Sequence, residues 1–297
     1  MKQRLGALLL ILVLVVGLFV GCGGRGDQTV IVVGAKDYTE QFILGHMTAL
    51  LLEYHTDFEI EFVYEMSTSI VWAALNSGDV DLYIEYTGTV YTFLLGYEDT
   101  LGAQETFDIV QRALDAQYDI LMLEPLGFNN TYTLSVMPDF AAQYNLRTFS
   151  DLAAISQNYI FGGTFEVINR PDGLPGLQAA YGMQFQEILP LDGVLRYLAI
   201  ENGDIQITDA FSTDGMLLAF DLVVLEDDLS FFPPYFAAPI IRRDTAEQHP
   251  ILVDILAMLA NILDDDTMRA LNYRVDVLHE RPEAVARDFL LSRGLIS

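Results

Sequence analysis

The sequence predicts an α/β fold with two sheet-centred lobes facing one cleft, and three observations lead there. Helix-like and strand-like apolar spacings alternate along most of the 297 residues. That length supports one large or two ordinary domains with real cores. Two stretches also match each other without a gap. Residues 70–82 run on into Glu85-Tyr86-Thr87-Gly88-Thr89, and residues 195–207 run on into Ala210-Phe211-Ser212-Thr213-Asp214. Each reads as an amphipathic helix, a Gly-Asp turn, a short apolar strand, then an aromatic beside hydroxyl residues. Ligands of open α/β sheets bind beyond the carboxyl ends of strands. Two such units therefore predict two lobes, each offering a ring and hydroxyls to a shared cleft. Taken alone, the echo is also compatible with a chance likeness of two βα units.

The N-terminus reads as a targeting segment. Lys2 and Arg4 precede an apolar run from Leu5 to Val20, shorter than the roughly 20 residues a membrane-spanning helix needs. Phe19-Val20-Gly21-Cys22 resembles a bacterial lipobox, with Phe19 where an aliphatic residue is usual. Cys22, the only cysteine, is the expected lipidation site. Residues 1–21 are then a lipoprotein signal peptide and residues 22–28, rich in glycine, a flexible tether. An uncleaved anchor is the alternative, and both place the globular part outside the cytoplasm at the membrane.

A single cysteine excludes an intrachain disulfide or a cysteine-based zinc site, and His46, His55, His249 and His279 lack ligand spacing, so no metal or cofactor is expected. The formal charge is −27; without residues 1–21, 13 of the 15 basic residues remain against 42 acids, a charge of −29. Such a surface excludes nucleic acid. It suits a self-repelling extracellular monomer and favours cationic ligands at long range, although solubility alone also explains it. Beyond the targeting segment Lys36 is the only lysine.

The elements follow in order. Thr29–Gly34, a β-branched run, is the first strand, and Phe42–Tyr54 the first helix, with Asp37 as N-cap and Glu40 three residues on in a capping-box pattern. Lys36 falls at the handover, where a cation near a helix start calls for an anion. Strands are expected at residues 59–64, 80–84, 119–123 and 132–137, with helices at 68–76 and 107–117. Asn129–Thr131 reads as the first crossing between lobes. The second lobe holds helices at 150–155 and 174–181, strands at 159–161, 187–189 and 221–225, and the second echo unit. Phe231–Tyr235, broken by Pro233-Pro234, reads as the return crossing, ahead of a strand at 237–241. Helices at 246–263, 266–273 and 282–293 close the chain, their apolar residues at core spacing.

Four aromatics stand at strand ends or crossings: Tyr86, Tyr132, Phe211 and Tyr235. Singly, each is an ordinary packing residue. In a two-lobed fold they converge, and ring faces arranged as a cage bind quaternary ammonium groups, which cannot donate hydrogen bonds; each face contributes roughly 0.5–2 kcal/mol. Arg170, held extended before Pro171, suits a planar carboxylate or a surface ion pair.

Several motifs, taken together, resemble the substrate-binding proteins of glycine betaine/choline ABC importers of the aromatic-cage branch. They are Gly34-Ala35-Lys36-Asp37-Tyr38-Thr39-Glu40-Gln41, residues 81–89, Gly127-Phe128-Asn129-Asn130-Thr131-Tyr132, residues 170–175, residues 209–214, Pro233-Pro234-Tyr235 and residues 267–273. The likeness runs in order through residues 29–296. It implies a two-lobed type II periplasmic-binding-protein fold with two crossover segments and a hinged ligand cleft. Lobe 1 would be 29–129 with 236–297, and lobe 2 would be 130–235. Tyr86, Tyr132, Phe211 and Tyr235 would form the cation cage. Lys36, Thr89 and Arg170 would hold the ligand carboxylate, and Asn130 would line the pocket near the cation. Phe211 stands where the family usually has tyrosine, keeping the ring face and losing the hydroxyl. The implied partners are a small quaternary ammonium ligand and an ABC permease with its ATPase.

Three rival readings remain. A hydrolase would use Asp79, Asp81 and Glu85 as paired carboxylates, yet no nucleophile elbow or Cys-His pair accompanies them, so no catalytic residue is assigned. A binder of an amino acid or other zwitterion would need acceptors for ammonium N–H groups. A sensor would need a signalling domain, and none is read before Ser297.

Overall fold

Apolar runs with strand and helix periodicity build two five-stranded mixed sheets in the computed structural model, which describes residues 29–191 and 193–297. The expected signal peptide, the tether and Cys22 lie outside the described residues. The first half contains β1 (Val30–Lys36), α1 (Thr39–His55), β2 (Glu59–Met66), α2 (Thr68–Ser77), β3 (Leu82–Tyr86), α3 (Ala103–Tyr118) and β4 (Ile120–Met122). The chain then enters a second sheet with β5 (Tyr132–Val136), α4 (Pro138–Tyr144), α5 (Phe149–Ala153), β6 (Ile160–Gly163), α6 (Phe165–Asn169), α7 (Leu174–Tyr181), β7 (Glu187–Pro190), α8 (Leu195–Glu201), β8 (Ile207–Phe211), α9 (Met216–Ala219) and β9 (Val223–Val224). It returns with β10 (Ala237–Arg242) and ends in α10 (Arg243–Gln248), α11 (Ile251–Leu256), α12 (Asp265–Asp276) and α13 (Pro282–Ser292).

The strand orders are β2-β1-β3-β10-β4 and β7-β6-β8-β5-β9. In the first sheet β3 lies parallel to β1 and antiparallel to β10; in the second, β8 lies parallel to β6 and antiparallel to β5. The two echo strands thus occupy the same place in two sheets of the same order. Gly78 and Gly203, equivalent in the echo, both take the left-handed conformation that ends α2 and turns the chain after α8, with φ of +87° and +79°. Glycine adopts it without the Cβ clash other residues meet. Tyr86 and Phe211 therefore end equivalent strands.

The two connections between sheets run side by side, and Asn129 and Phe236 pair across them as an antiparallel bridge. The largest apolar core gathers Ile31, Val33, Leu44 and Leu51 from β1 and α1 with Leu134, Phe161 and Ile207 from the second sheet. It extends onto α13 through Val285 and Leu290. No helix among the described residues is long and apolar enough to cross a membrane.

Three local expectations give way. α1 starts at Thr39 with Tyr38 at its N-cap and no side-chain cap hydrogen bond; Glu40 is drawn into the interior instead of closing a capping box. The long helix expected at 246–263 is broken into α10, α11 and a 3₁₀ turn, because Pro250 holds His249 out of the helical region. A π-helical turn at Thr89–Leu94 follows β3, where no helix was expected; such turns are rare and concentrate at functional sites.

Candidate ligand-binding cleft

Sheet order positions the site. Tyr132 at the start of β5 pairs across the ladder with Phe211 at the end of β8, which brings their rings to 4.7 Å. Tyr235, on the return connection, meets Tyr132 edge-on at 5.5 Å and 83°. Its ring lies on the backbone at Gly88, where a Cβ would come within 2.7 Å of it, so any larger residue there displaces the ring. Tyr86 comes from the other sheet. Its hydroxyl donates to Glu40 Oε1 at 2.8 Å and accepts from Gln41 Nε2 at 3.0 Å.

These four rings line one cavity of ≈ 20 Å³ together with Lys36, Thr89, Asn130 and Arg170. All eight residues singled out by sequence for ligand contact are brought together there. Sequence reasoning missed three further lining residues, Tyr38, Thr68 and Glu166. Tyr38 stacks on Phe211 at 5.7 Å and 17°, adding a fifth ring. Its position beside Lys36 at the end of β1 was the available signal, hidden by reading Asp37 as the helix cap. The cavity shares Tyr38, Thr68, Glu166, Arg170 and Phe211 with an adjoining cleft of ≈ 700 Å³ between α1, α2 and the π-helical turn on one side and α6, α8 and the β8 end on the other.

The polar groups are already engaged. Lys36 is buried and bonds Glu85 Oε1 at 2.6 Å, with its Nζ 5.1 Å from the Tyr86 ring centre. Glu85 is the anion that a cation at this helix start required. Its other oxygen accepts from the Tyr83 hydroxyl. Arg170 is extended at its backbone, as its place before proline dictates, and its side chain turns inward. Asp172 grips its guanidinium with two hydrogen bonds, Glu166 adds a third at 3.2 Å, and the plane rests 4.4 Å from the Phe93 ring. Burial pushes the Asp172 carboxyl up, and Arg170 pulls it down harder, so it sits below the usual aspartate range. Burial raises the Tyr38, Tyr86 and Tyr132 hydroxyls well above the ordinary tyrosine pKa, so all three stay neutral.

Of the echo hydroxyls, Thr89 lines the cavity as expected, but Thr87 and Ser212 do not face the ligand space. Thr87 donates to Pro234 O at 2.7 Å and accepts from the Phe236 N–H. Its counterpart Ser212 donates to Asn129 O at 2.8 Å and accepts from the Thr131 N–H. One clamps the return connection and the other the first, because each lies where its strand end passes beside a connection. The carboxylates cast for a hydrolase are braces too. Asp81 accepts from the Val32 N–H and the Thr245 hydroxyl, Asp79 from Ser77, and Glu85 holds Lys36.

A model of the family described as the substrate binding domain of ABC-type glycine betaine transport systems matches residues 29–292. The ergothioneine transport permease/ergothioneine binding protein EgtU of Helicobacter pylori is 38% identical over 270 residues, which are 91% of this chain and 48% of that protein. The chain thus spans about half the length of that relative. The glycine-betaine-binding protein of Pseudomonas aeruginosa is 32% identical over 291 residues, 94% of this chain and 92% of that one. Among solved structures, a glycine betaine/carnitine/choline ABC transporter protein is 31% identical, with a TM-score of 0.75 over 90% of this chain and 100% of that one.

Proposed function

The chain belongs to the family of substrate-binding domains of ABC-type glycine betaine transport systems, and from that membership we propose that it captures a small quaternary ammonium compound between its lobes and hands it to an ABC permease. The observation that carries this reading is the convergence of Tyr86, Tyr132, Phe211 and Tyr235 on one cavity that also holds Lys36, Thr89, Asn130 and Arg170. Ring faces replace the water of a cation that has no N–H to donate. The Arg170 and Lys36 end offers N–H donors for a carboxylate, although both cations are already paired with Asp172, Glu166 and Glu85. Asn130 lines the same space, and its amide oxygen has no hydrogen-bond partner among the described residues.

The lobes hold the ligand by closing. Thr68 on α2 donates to Glu166 on α6 at 2.7 Å, and Thr92 on the π-helical turn donates to Asp172 at 2.6 Å. Both bonds join elements of different sheets. At ≈ 20 Å³ the cavity has room for little more than a water, so admission of a trimethylammonium group requires the lobes to part. A ligand drives closure only through better affinity for the closed form. We place the globular part outside the cytoplasm, held to the membrane by a lipid on Cys22.

A larger betaine is the second reading. Tyr38 and Phe211 also line the ≈ 700 Å³ cleft, which has room for a trimethylated amino acid such as ergothioneine, the compound named for the 38% identical relative. Titration calorimetry with glycine betaine, proline betaine, carnitine, choline, ergothioneine and glycine separates these. Saturable binding of one or more methylated ligands with no glycine binding is expected. Tyr235→Ala should weaken whichever ligand binds by about tenfold. Silence for every methylated ligand would overturn the reading and leave only the fold.

A further inference from the structure

Behind the cage lies a carboxylate that no ion pair among the described residues explains. Glu40, in the first turn of α1, is 2% exposed. Its Oε1 accepts from the Tyr86 hydroxyl at 2.8 Å and from Asn130 Nδ2 at 2.7 Å. Its Oε2 accepts from the Thr213 hydroxyl at 2.6 Å and from Asn272 Nδ2 at 3.0 Å. Tyr86 and Asn272 belong to the first lobe, Thr213 follows β8 of the second, and Asn130 sits on the connection between them. Four donors therefore converge on one side chain from both lobes and from the hinge. Two of them, Tyr86 and Asn130, also line the ligand cavity.

We propose that Glu40 is a protonation-dependent positioning residue: as a carboxylate it fixes Tyr86 and Asn130 in the cavity wall and ties the second lobe to the first through Thr213, and taking up a proton loosens that hold.

The hydrogen-bond count gives the mechanism. An ionised carboxylate only accepts, which suits four donors. A neutral carboxyl must donate one hydrogen, so at least one present donor has to turn away or reverse. Tyr86 and Thr213 can swing a hydroxyl hydrogen, and Asn130 can turn its amide over. In the ionised state Asn130 gives its NH₂ to Glu40, and its Oδ1, unpartnered among the described residues, is left for the cavity. An acceptor oxygen there favours a cationic ligand. A reversed amide would present N–H groups and repel it. Each route weakens the cage, the lobe tie or both.

The surroundings allow the proton to come and go near neutrality. Burial lifts the Glu40 pKa to about 7, the bonds from Thr213, Asn272 and Tyr86 pull it back, and Asp214 pushes it up again. The titratable and charged groups packed around it can be named element by element. Tyr38 stands at its own N-cap, Tyr86 on β3 with the Glu85–Lys36 pair behind it, Asp214 beyond β8 bonded to Arg196, and Asp276 one turn along α12 from Asn272. Lys36 is committed to Glu85, and no salt bridge reaches Glu40 among the described residues. Asp276, which burial raises to about 6, titrates in an overlapping range, and it needs its own control.

The sign follows from the donors. Affinity for a quaternary ammonium ligand should be full above the folded pKa and fall as pH drops through it. The test measures glycine betaine affinity of the full chain by calorimetry between about pH 5.5 and 8.5, for wild type, Glu40→Gln and Asp276→Asn. Wild-type affinity is expected to fall about tenfold toward acid, and Glu40→Gln to be about tenfold weak and flat across the range. Asp276→Asn should keep the wild-type profile. A Glu40→Gln protein with the wild-type profile, or loss of the profile in Asp276→Asn, overturns the proposal. A second arm needs neither ligand nor variant: the Asn130 side-chain amide resonances of the unliganded chain should move with a midpoint near pH 7. Resonances that stay fixed overturn it equally. The affinity arm rests on the quaternary ammonium reading; if glycine betaine binds at no pH, that reading loses support while the amide titration still decides the role of Glu40.

Discussion

At the scale of residues, the cleft is a set of opposite charges held apart from water by rings. Arg170 shows what that costs. The residue is 5% exposed, and its guanidinium takes both oxygens of Asp172. Removing one member of a buried pair strands the other, an effect of about 3–5 kcal/mol. Arg170→Ala should therefore act twice. Calorimetry should show glycine betaine binding weakened far more than choline binding, because choline has no carboxylate; equal losses would remove Arg170 from the carboxylate site. Thermal denaturation should show lower stability even without ligand. The Asp172 pKa is held down in the folded protein, so its share of stability is present above the unfolded carboxylate pKa and lost as pH falls through the folded value. The gap between wild type and Arg170→Ala should accordingly be full at neutral pH and close below about pH 4. A gap that does not change with pH would mean the pair contributes through packing alone.

At the scale of elements, the echo became a structural repeat. Gly78 and Gly203 both sit in left-handed turns, but their surroundings differ. A Cβ at Gly78 would run into the Arg242 guanidinium, while one at Gly203 meets nothing within 4 Å. Gly203→Ala thus isolates backbone strain, about 1–2 kcal/mol, which should lower Tm by roughly 2–8 °C for a chain of this size. Gly78→Ala adds the collision and should lower it further. Equal melting shifts for the two would contradict this difference in surroundings. Most of these elements were legible from apolar periodicity: α7 runs from Leu174 to Tyr181 as the spacing predicts, and β3, β5 and β10 lie within two residues of their expected bounds. The short α4, α6 and α9 and the π-helical turn were not. Pieces of four to seven residues carry too little periodicity to separate from loop.

At the scale of the whole molecule, two sheets of equal strand order are joined by paired connections and bridged across the cleft by Thr68–Glu166 and Thr92–Asp172. Two bonds to carboxylates contribute about 1.5–3 kcal/mol each at most, and less where water competes. Replacing both threonines by valine should shift the unliganded chain toward the open form, seen as a larger radius of gyration by small-angle scattering, and weaken ligand binding by about tenfold. Unchanged scattering and affinity would mean that other contacts set the closure. The molecule's strong negative charge does not conflict with a site built from Lys36 and Arg170, because both cations are neutralised in place by Glu85, Glu166 and Asp172.

The sequence by itself determined the α/β alternation, the internal repeat and the chemical types at the cleft. Each of these is written in spacing and turn residues within a dozen positions, and the likeness of motifs from Gly34 to Tyr273 to a known family identified which rings and cations belong together. What only the tertiary structure decided is who holds whom. Lys36 finds Glu85 49 positions away because β1 and β3 are neighbours. Thr87 and Ser212 serve the connections, not the ligand space, because those segments pass beside the strand ends. Glu40, read locally as part of a helix cap, collects Tyr86, Asn130, Thr213 and Asn272 from up to 232 positions away. A buried carboxylate takes whatever donors the packed lobes bring to it, and no local pattern names them.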